Sequence, residues 1–232
     1  MVTIFYIKLA ELIIRIENKY DYLEKLCAKY VTSQNNADFS VCVTDEEIMA
    51  ESGDTDFSKG YLESLAVYRK IAEIIPLYNG FLMHGVVIEA ANKGIIFCAK
   101  SGIGKSTHAM LWKKYLGDKC EIINGDKPII RVIEGKVYAY GTPWCGKEGY
   151  NINKGVAISS VCFLKRSKTN KINDITKNEA FFSVFMQIHI PKGKKAEVLD
   201  LVDLFIKNTD FYLTECNMDI EAAKIASERL LK

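Results

Sequence analysis

Histidine is scarce in this chain: three among 232 residues, at positions 84, 108 and 189. The seven cysteines (27, 42, 98, 120, 145, 162 and 216) include no C-x-x-C pair, so no zinc-ligand set is in view. Their odd number argues against a disulfide framework. A secretory leader is missing too: the first residues alternate as a strand does, and acids and Arg15 follow too soon for an apolar leader core. Free thiols in a reducing cytoplasm are therefore expected, with Cys98 and Cys162 as core residues inside apolar, strand-like runs. No window approaches the roughly 18 unbroken apolar residues of a membrane span, and no membrane partner is expected. An excess of one charge is also absent. Lys and Arg number 31 against 29 Asp and Glu, interspersed, which excludes a nucleic-acid partner bound through bulk charge. There is no internal repeat and no low-complexity stretch.

What is present fits an α/β protein with a proper core, 49% of its residues being hydrophobic. Residues 1–57 read as a small N-terminal α/β extension, and 58–232 as the main domain. In the extension, residues 3–16 are rich in Ile, Phe and Tyr, 20–30 have helical spacing, and 39–43 form a short strand. Thr44 then offers an N-cap with acids in the first turn, and 52–59 is a polar loop. With no phosphate loop and no paired acids, this part is assigned to packing or substrate docking. Tyr61, Leu65, Tyr68, Ala72 and Ile75 predict a helix over 61–75, stopped by Pro76. Strands follow at 86–88 and 95–98 around an Asn92-Lys93-Gly94 turn, then a helix over 105–115 ending near Gly117. A strand at 121–124, a hairpin of 129–133 and 137–140 through Glu134-Gly135, and a strand at 161–164 complete a mixed sheet. Residues 165–173 read as a solvated basic loop. Beyond 175 the chain reads as mostly helical, with Val198, Leu201, Val202 and Phe205 on one helix, a strand at 211–213 and a last helix over 218–231.

The sharpest signal is Ala99-Lys100-Ser101-Gly102-Ile103-Gly104-Lys105-Ser106-Thr107. It matches G-x-x-x-x-G-K-[ST], apart from alanine in the first place, and sits between an apolar strand and a helix. Gly102 and Gly104 let backbone N–H groups converge on phosphate oxygens, and the helix adds its positive N-terminal end. The Lys105 ammonium can span β- and γ-phosphates and the Ser106 hydroxyl can ligate Mg²⁺. Such a site needs an acid on a neighbouring strand, and Ile122-Ile123-Asn124-Gly125-Asp126 delivers one about twenty residues on. The competing reading of Asp126, an ordinary turn residue before Pro128, is the less favoured. His84 alone would pass for a packed or surface residue, and His108 and His189 read as structural. The run Gly141-Thr142-Pro143-Trp144-Cys145-Gly146-Lys147-Glu148-Gly149 supports two readings equally. One is a loop facing nucleotide or substrate, with Lys147 meeting phosphate; the other is a surface turn with Trp144 packed on the body. Cys145 has no adjacent base and is not read as a nucleophile.

Taken in order, His84-Gly85-Val86-Val87, the loop from Ser101 to Ser106, and Asn124-Gly125-Asp126 resemble the landmarks of HPr kinase/phosphorylase. The Gly-Asp element is also similar to that of ATP-dependent phosphoenolpyruvate carboxykinases. Ser106-Thr107-His108 with Leu111-Trp112, Asn124-Gly125-Asp126 with Pro128, and Gly141-Thr142-Pro143-Trp144 with Gly146 resemble small HPr kinase-like proteins more closely. The resemblance covers roughly 60–165. It implies an α/β fold with a mixed sheet and a phosphate loop at a strand-to-helix turn. It also implies ATP and Mg²⁺ as cofactors, and transfer of a phosphoryl group to a hydroxyl, in HPr kinase a protein serine. Carried over, Ser101, Gly102, Ile103, Gly104, Lys105, Ser106 and Thr107 hold nucleotide and Ser106 and Asp126 hold metal. Asp126, His84 and Lys105 serve catalysis, with Lys127, Thr142 and Lys147 on the substrate side. A ring-like homo-oligomer is a further expectation from the resemblance. Four features depart from the pattern: Ala99 for glycine, Lys127 where a second Asp would stand, no Glu-x-Arg-Gly signature, and a short N-terminal region. A peptide or protein serine kinase is thus the leading expectation, beside a small-molecule kinase and a nucleotide-binding regulatory or scaffold protein without transfer. A carboxykinase-like lyase is the remaining alternative, and no arginine cluster for its oxaloacetate is seen.

Overall fold

The computed structural model describes residues 2–53 and 56–232; Met1 of the N-terminal strand run and positions 54 and 55 of the expected 52–59 loop lie outside the described residues. Strands β1 (Thr3–Leu9) and β2 (Leu12–Asn18) form a hairpin closed by Ala10 and Glu11, both at positive φ. Their buried residues alternate, Phe5, Ile7 and Leu9 facing inward with Leu12, Ile14 and Ile16, as one covered sheet face requires. After α1 (Asp21–Leu26), β3 (Phe39–Val41) adds parallel to β2. Thr44 caps α2 (Asp45–Ala50) through a capping box with Glu47.

Helix α3 (Lys59–Ile74) lies across this small sheet, and Pro76 falls inside the 3-10 turn that follows (Ile75–Tyr78). Its inward face differs from the expected stripe. Leu62, Ala66, Val67 and Ile71 are buried with Ala72 and Ile75, whereas Tyr61, Leu65 and Tyr68 are half-buried. The helix is covered on two adjacent sides, one of them by the 19–20 backbone, whose N–H groups donate to the fully buried Glu63 carboxylate at 2.6 and 3.1 Å. The Leu65–Tyr68 flank is left to line a cavity. The core around α3 also includes Leu82, Ile129, Tyr140 and Trp144, so it continues across position 58 into the larger sheet.

That sheet has ten strands. It is built from β4 (Gly80–Met83), β5 (Val86–Ala90), β6 (Lys93–Cys98), β7 (Cys120–Asn124), β8 (Ile129–Ile133), β9 (Lys136–Tyr140), β10 (Gly155–Arg166), β11 (Lys171–Asp174), β12 (Ile188–His189) and β13 (Asp210–Cys216). Pairing is mixed: β10 runs parallel to β6 and β13, while its first residues pair antiparallel with β9. Both faces are covered. Ile96 and Cys98 of β6 pack towards α5 (Lys177–Phe185) and α6 (Lys195–Lys207), while Ile95 and Phe97 pack towards α4 (Lys105–Leu116) and α7 (Ile220–Leu230). Successive side chains point to opposite faces, so the unbroken apolar run 95–98 is what a doubly covered strand needs.

One expectation gives way here. Residues 165–173 are not all loop: β10 runs on through Arg166, and Lys171–Asp174 forms β11 on β13. Beyond 175 the described chain is mostly helical as expected, in α5, α6 and α7, with β13 at the expected strand and the two-residue β12 in addition. An edge strand keeps one side in water and tolerates charge, so its sequence looks like a loop. Among the described residues no helix is long and apolar enough to cross a membrane.

Candidate functional site

Strand β6 delivers the chain to residues 99–104, and α4 starts at Lys105. Gly102 (φ 78°) and Gly104 (φ 118°) occupy backbone angles that strain any residue with a Cβ, and nothing stands within 4 Å of where a Cβ on Gly102 would be. The loop is therefore open in front. The first intrahelical bond is His108 N–H to Gly104 O at 2.9 Å, so the N–H groups before it have no helical acceptor. No acidic side chain occupies the first turn. Together these leave a positive, donor-lined hollow.

Lys105 is only 8% exposed, and its ammonium donates to Ala99 O at 3.1 Å without a carboxylate partner. Burial lowers its pKa, against the pull of Asp126 and the Cys98 thiol. A nearly buried cation whose one hydrogen bond is to a carbonyl, with its nearest acid acting only at a distance, is costly, and an anion in front of the loop would lower that cost.

Asp126 is set by its neighbours. The Asn124 side-chain oxygen accepts from the N–H groups of Asp126 (3.0 Å) and Lys127 (2.7 Å), and Asn124 is itself buried, donating to Thr142 O at 3.1 Å. Gly125 passes so near the next loop that a Cβ there would lie 2.5 Å from Cys145 O. His84 is brought alongside by two backbone bonds, His84 N–H to Gln187 O at 2.7 Å and Gly85 N–H to Asp126 O at 2.9 Å. As a result His84 Nε2 lies 3.1 Å from Asp126 Oδ1. Burial opposes ionisation of Asp126, but the His84 hydrogen bond and the charges of His84, Lys127 and Lys105 prevail, and its pKa falls below the usual carboxylate range.

A cleft of about 420 Å³ joins these groups: His84, Ser101, Gly102, Gly104, Lys105, Ser106, Thr107, Asp126 and Lys147 line it, with Gly125, Gly146 and Glu148. Of residues 101–107, Ile103 alone is outside the lining; its side chain packs with the core that holds Trp112. Lys127 turns the other way, its ammonium 5.3 Å from the Tyr68 ring centroid. There it lines a second cavity of about 390 Å³ with Leu65, Tyr68, Arg69, Met83 and His189. His84 lines both cavities. Thr142 lines neither. It is fully buried, its hydroxyl donating to Lys127 O at 2.8 Å and accepting from Asn124 Nδ2 at 3.2 Å, so it braces the turn carrying Asp126. Trp144 packs on α3, its ring 4.8 Å from Tyr68 and its indole N–H on Ser64 O at 3.0 Å. In the 141–149 loop, then, Trp144 packs on the body and Lys147 lines the cleft.

Three residues at or beside these cavities escape sequence reading. Arg166 donates to Gly102 O and, at 3.2 Å, to Ile103 O, clasping the loop from β10. Glu148 adds a carboxylate to the rim, and Tyr68 supplies the ring under Lys127. The parallel pairing of β10 with β6, which puts Arg166 there, leaves no local mark in the sequence.

No family model and no curated protein matches the chain. Among solved structures it is similar to the Hpr(Ser) kinase/phosphatase from Coxiella burnetii, at 10% identity and a TM-score of 0.39, over 65% of this chain and 96% of that one. A likeness of that extent assigns no residue and no activity.

Proposed function

We propose that this protein is an ATP- and Mg²⁺-dependent phosphotransferase acting on a hydroxyl, the acceptor being a serine of a peptide or protein. The observation that carries the reading is the convergence of a glycine loop, a buried lysine held by a carbonyl alone and the Asp126–His84 pair on one cleft. Loop N–H groups and Lys105 would bind the phosphates. Ser106 Oγ and Asp126 would hold Mg²⁺, which when bound neutralises charge on the phosphates. Among the described residues the Ser106 hydroxyl makes no hydrogen bond and no group of three His, Cys, Asp or Glu converges. Such a sparse donor set suits Mg²⁺, which keeps waters and leans on substrate phosphate. The acceptor hydroxyl would enter from the Tyr68–Lys127 cavity and meet Asp126 past His84, the wall that both cavities share. His84 Nε2–H would hold the carboxylate in orientation.

A second reading, a nucleotide-binding regulator without transfer, is favoured by the lysine, rather than a second acid, that follows Asp126 at position 127. Two measurements separate them. Calorimetric titration with ATP, with and without magnesium, should show tighter binding with the metal and a loss in Lys105→Ala. Incubation with labelled ATP and fractionated lysate should label an acceptor; binding without any labelled product would select the regulator.

A further inference from the structure

Adjoining the cleft at the loop lies another cavity, of about 410 Å³, which shares Gly102, Gly104 and Thr107 with it. Its walls are apolar where Ile103, Leu164 and Met218 contribute, and polar where His108, Arg166 and Ser167 do. His108 is 2% exposed and stands edge-on to Phe97 with ring centroids 4.8 Å apart. The Trp112 indole N–H, which can only donate, lies 3.1 Å from His108 Nε2. Nε2 must therefore be the unprotonated nitrogen. Burial lowers the imidazole pKa to about 4, so the ring is neutral and its one proton sits on Nδ1. That N–H is buried without a partner. An unsatisfied buried donor in a cavity wall, in a ring anchored on its other nitrogen, marks a place where a ligand acceptor belongs.

We infer that this cavity receives the heteroaromatic base of the nucleotide, with His108 Nδ1–H donating to a ring nitrogen of the base and Met218 and Leu164 covering its faces. The inference rests on the phosphate-loop reading above and adds the nucleoside end to it. Arg166 already clasps the loop at Gly102 and Ile103, so its planar guanidinium lies where it can also stack on the base. Residues shared between the two cavities put base and phosphates against the same loop. Met218 is 76% exposed and makes a wall that can move aside for entry.

The test compares Mg-ATP with Mg-tripolyphosphate, a probe that keeps the phosphates and lacks the base. Calorimetric titration of the full chain should show ATP binding at least tenfold tighter than tripolyphosphate. His108→Gln should cut that preference by about tenfold, the worth of one buried hydrogen bond, and leave tripolyphosphate affinity unchanged. Met218→Ala, at an exposed position that does not endanger folding, should cut it several-fold. An unchanged preference in Met218→Ala and in folded His108→Gln, or equal affinity of the wild type for both probes, overturns the base site alone. Failure of the wild type to bind either probe overturns the phosphate loop, and the base site with it.

Discussion

Replacing Lys105 with methionine should move fold stability and ligand affinity in opposite directions, a signature a merely structural lysine would not give. Methionine keeps the length of the side chain and most of its packing. In the free protein the change removes a nearly buried ammonium held by one carbonyl and no carboxylate. Relief of that desolvation should stabilise the free fold by about 1 kcal/mol. The same change strips the cleft of its one buried cation, and losing one partner of a desolvated charge pair costs about 2 kcal/mol or more, a thirtyfold rise in Kd. The assay is urea unfolding with and without Mg-ATP. At ATP one hundred times the wild-type Kd, ligand should stabilise the wild type by about 2.7 kcal/mol and the variant by only about 0.9 kcal/mol. Equal stabilisation of both proteins by ATP would refute phosphate binding by Lys105, and a less stable free variant would refute the picture of an uncompensated cation.

Asp126→Asn keeps shape and removes charge, so single-turnover transfer to the acceptor should fall by ~10²-fold or more while nucleotide affinity changes little; full activity would overturn the proposed role. His84→Ala should cost less than Asp126→Asn, and Lys127→Ala should raise the acceptor KM without altering ATP affinity, because its ammonium lies in the other cavity. Removing residues 1–57 uncovers Leu62, Val67 and Ile71 of α3, worth roughly 5 kcal/mol of burial or more, so the shortened chain should be unstable to mild urea; a cooperative, stable fold would show that α3 does not need the small sheet. His108 has a pKa of about 4 when folded against 6.5 in a free chain. Its contribution is therefore complete above pH 6.5 and lost as pH falls towards 4, by about 3 kcal/mol over that window. The stability gap between wild type and His108→Gln should shrink accordingly between pH 7.5 and pH 4.5, and a constant gap would contradict the buried neutral imidazole.

The parts of this molecule that are legible in the sequence are those whose cause is local. The loop at 99–107 announces itself because strand, glycines, lysine and helix follow one another directly, and the Glu134-Gly135 turn because φ is positive there; the turn expected at Asn92-Lys93-Gly94 sits at Ala91-Asn92, with Lys93 and Gly94 already in β6. Asp126 is readable from a strand that ends in Gly-Asp. What stays hidden is set by pairing between distant segments. β4 has four residues, all buried, and so no alternation to detect, and β12 has two. Arg166 reads as surface charge until β10 is laid beside β6. The inner face of α3 is misread because two neighbours cover it, and a helix buried on adjacent sides loses the narrow stripe that periodicity seeks. Thr142 carries a hydroxyl in a glycine-rich loop and invites a substrate role, yet its partners lie within the turn it braces.

The lysine at 127 bears on how much acid–base work the site could do. Both N–H groups after Gly125 are held by one Asn124 oxygen, so the directions of Asp126 and Lys127 are set together, one carboxylate to the cleft and one ammonium to Tyr68. The charge of Lys127 still reaches Asp126, and with His84 and Lys105 it keeps the carboxyl ionised despite burial. A carboxylate held that low accepts a proton weakly. That is a modest handicap for phosphoryl transfer, whose loose transition state builds little charge on the attacking oxygen and depends on alignment and on neutralising the phosphate oxygens. The groups that the loop, Lys105 and a metal at Ser106 and Asp126 would supply are of that kind. In the proposed reaction, deprotonating the acceptor would follow phosphorus–oxygen bond formation, with Asp126 orienting the hydroxyl beforehand and His84 fixing Asp126. A second acid beside it would add repulsion towards the phosphates. If the acceptor enters through the Tyr68–Lys127 cavity as proposed, the Lys127 ammonium there would favour acceptors that bring negative charge next to the hydroxyl.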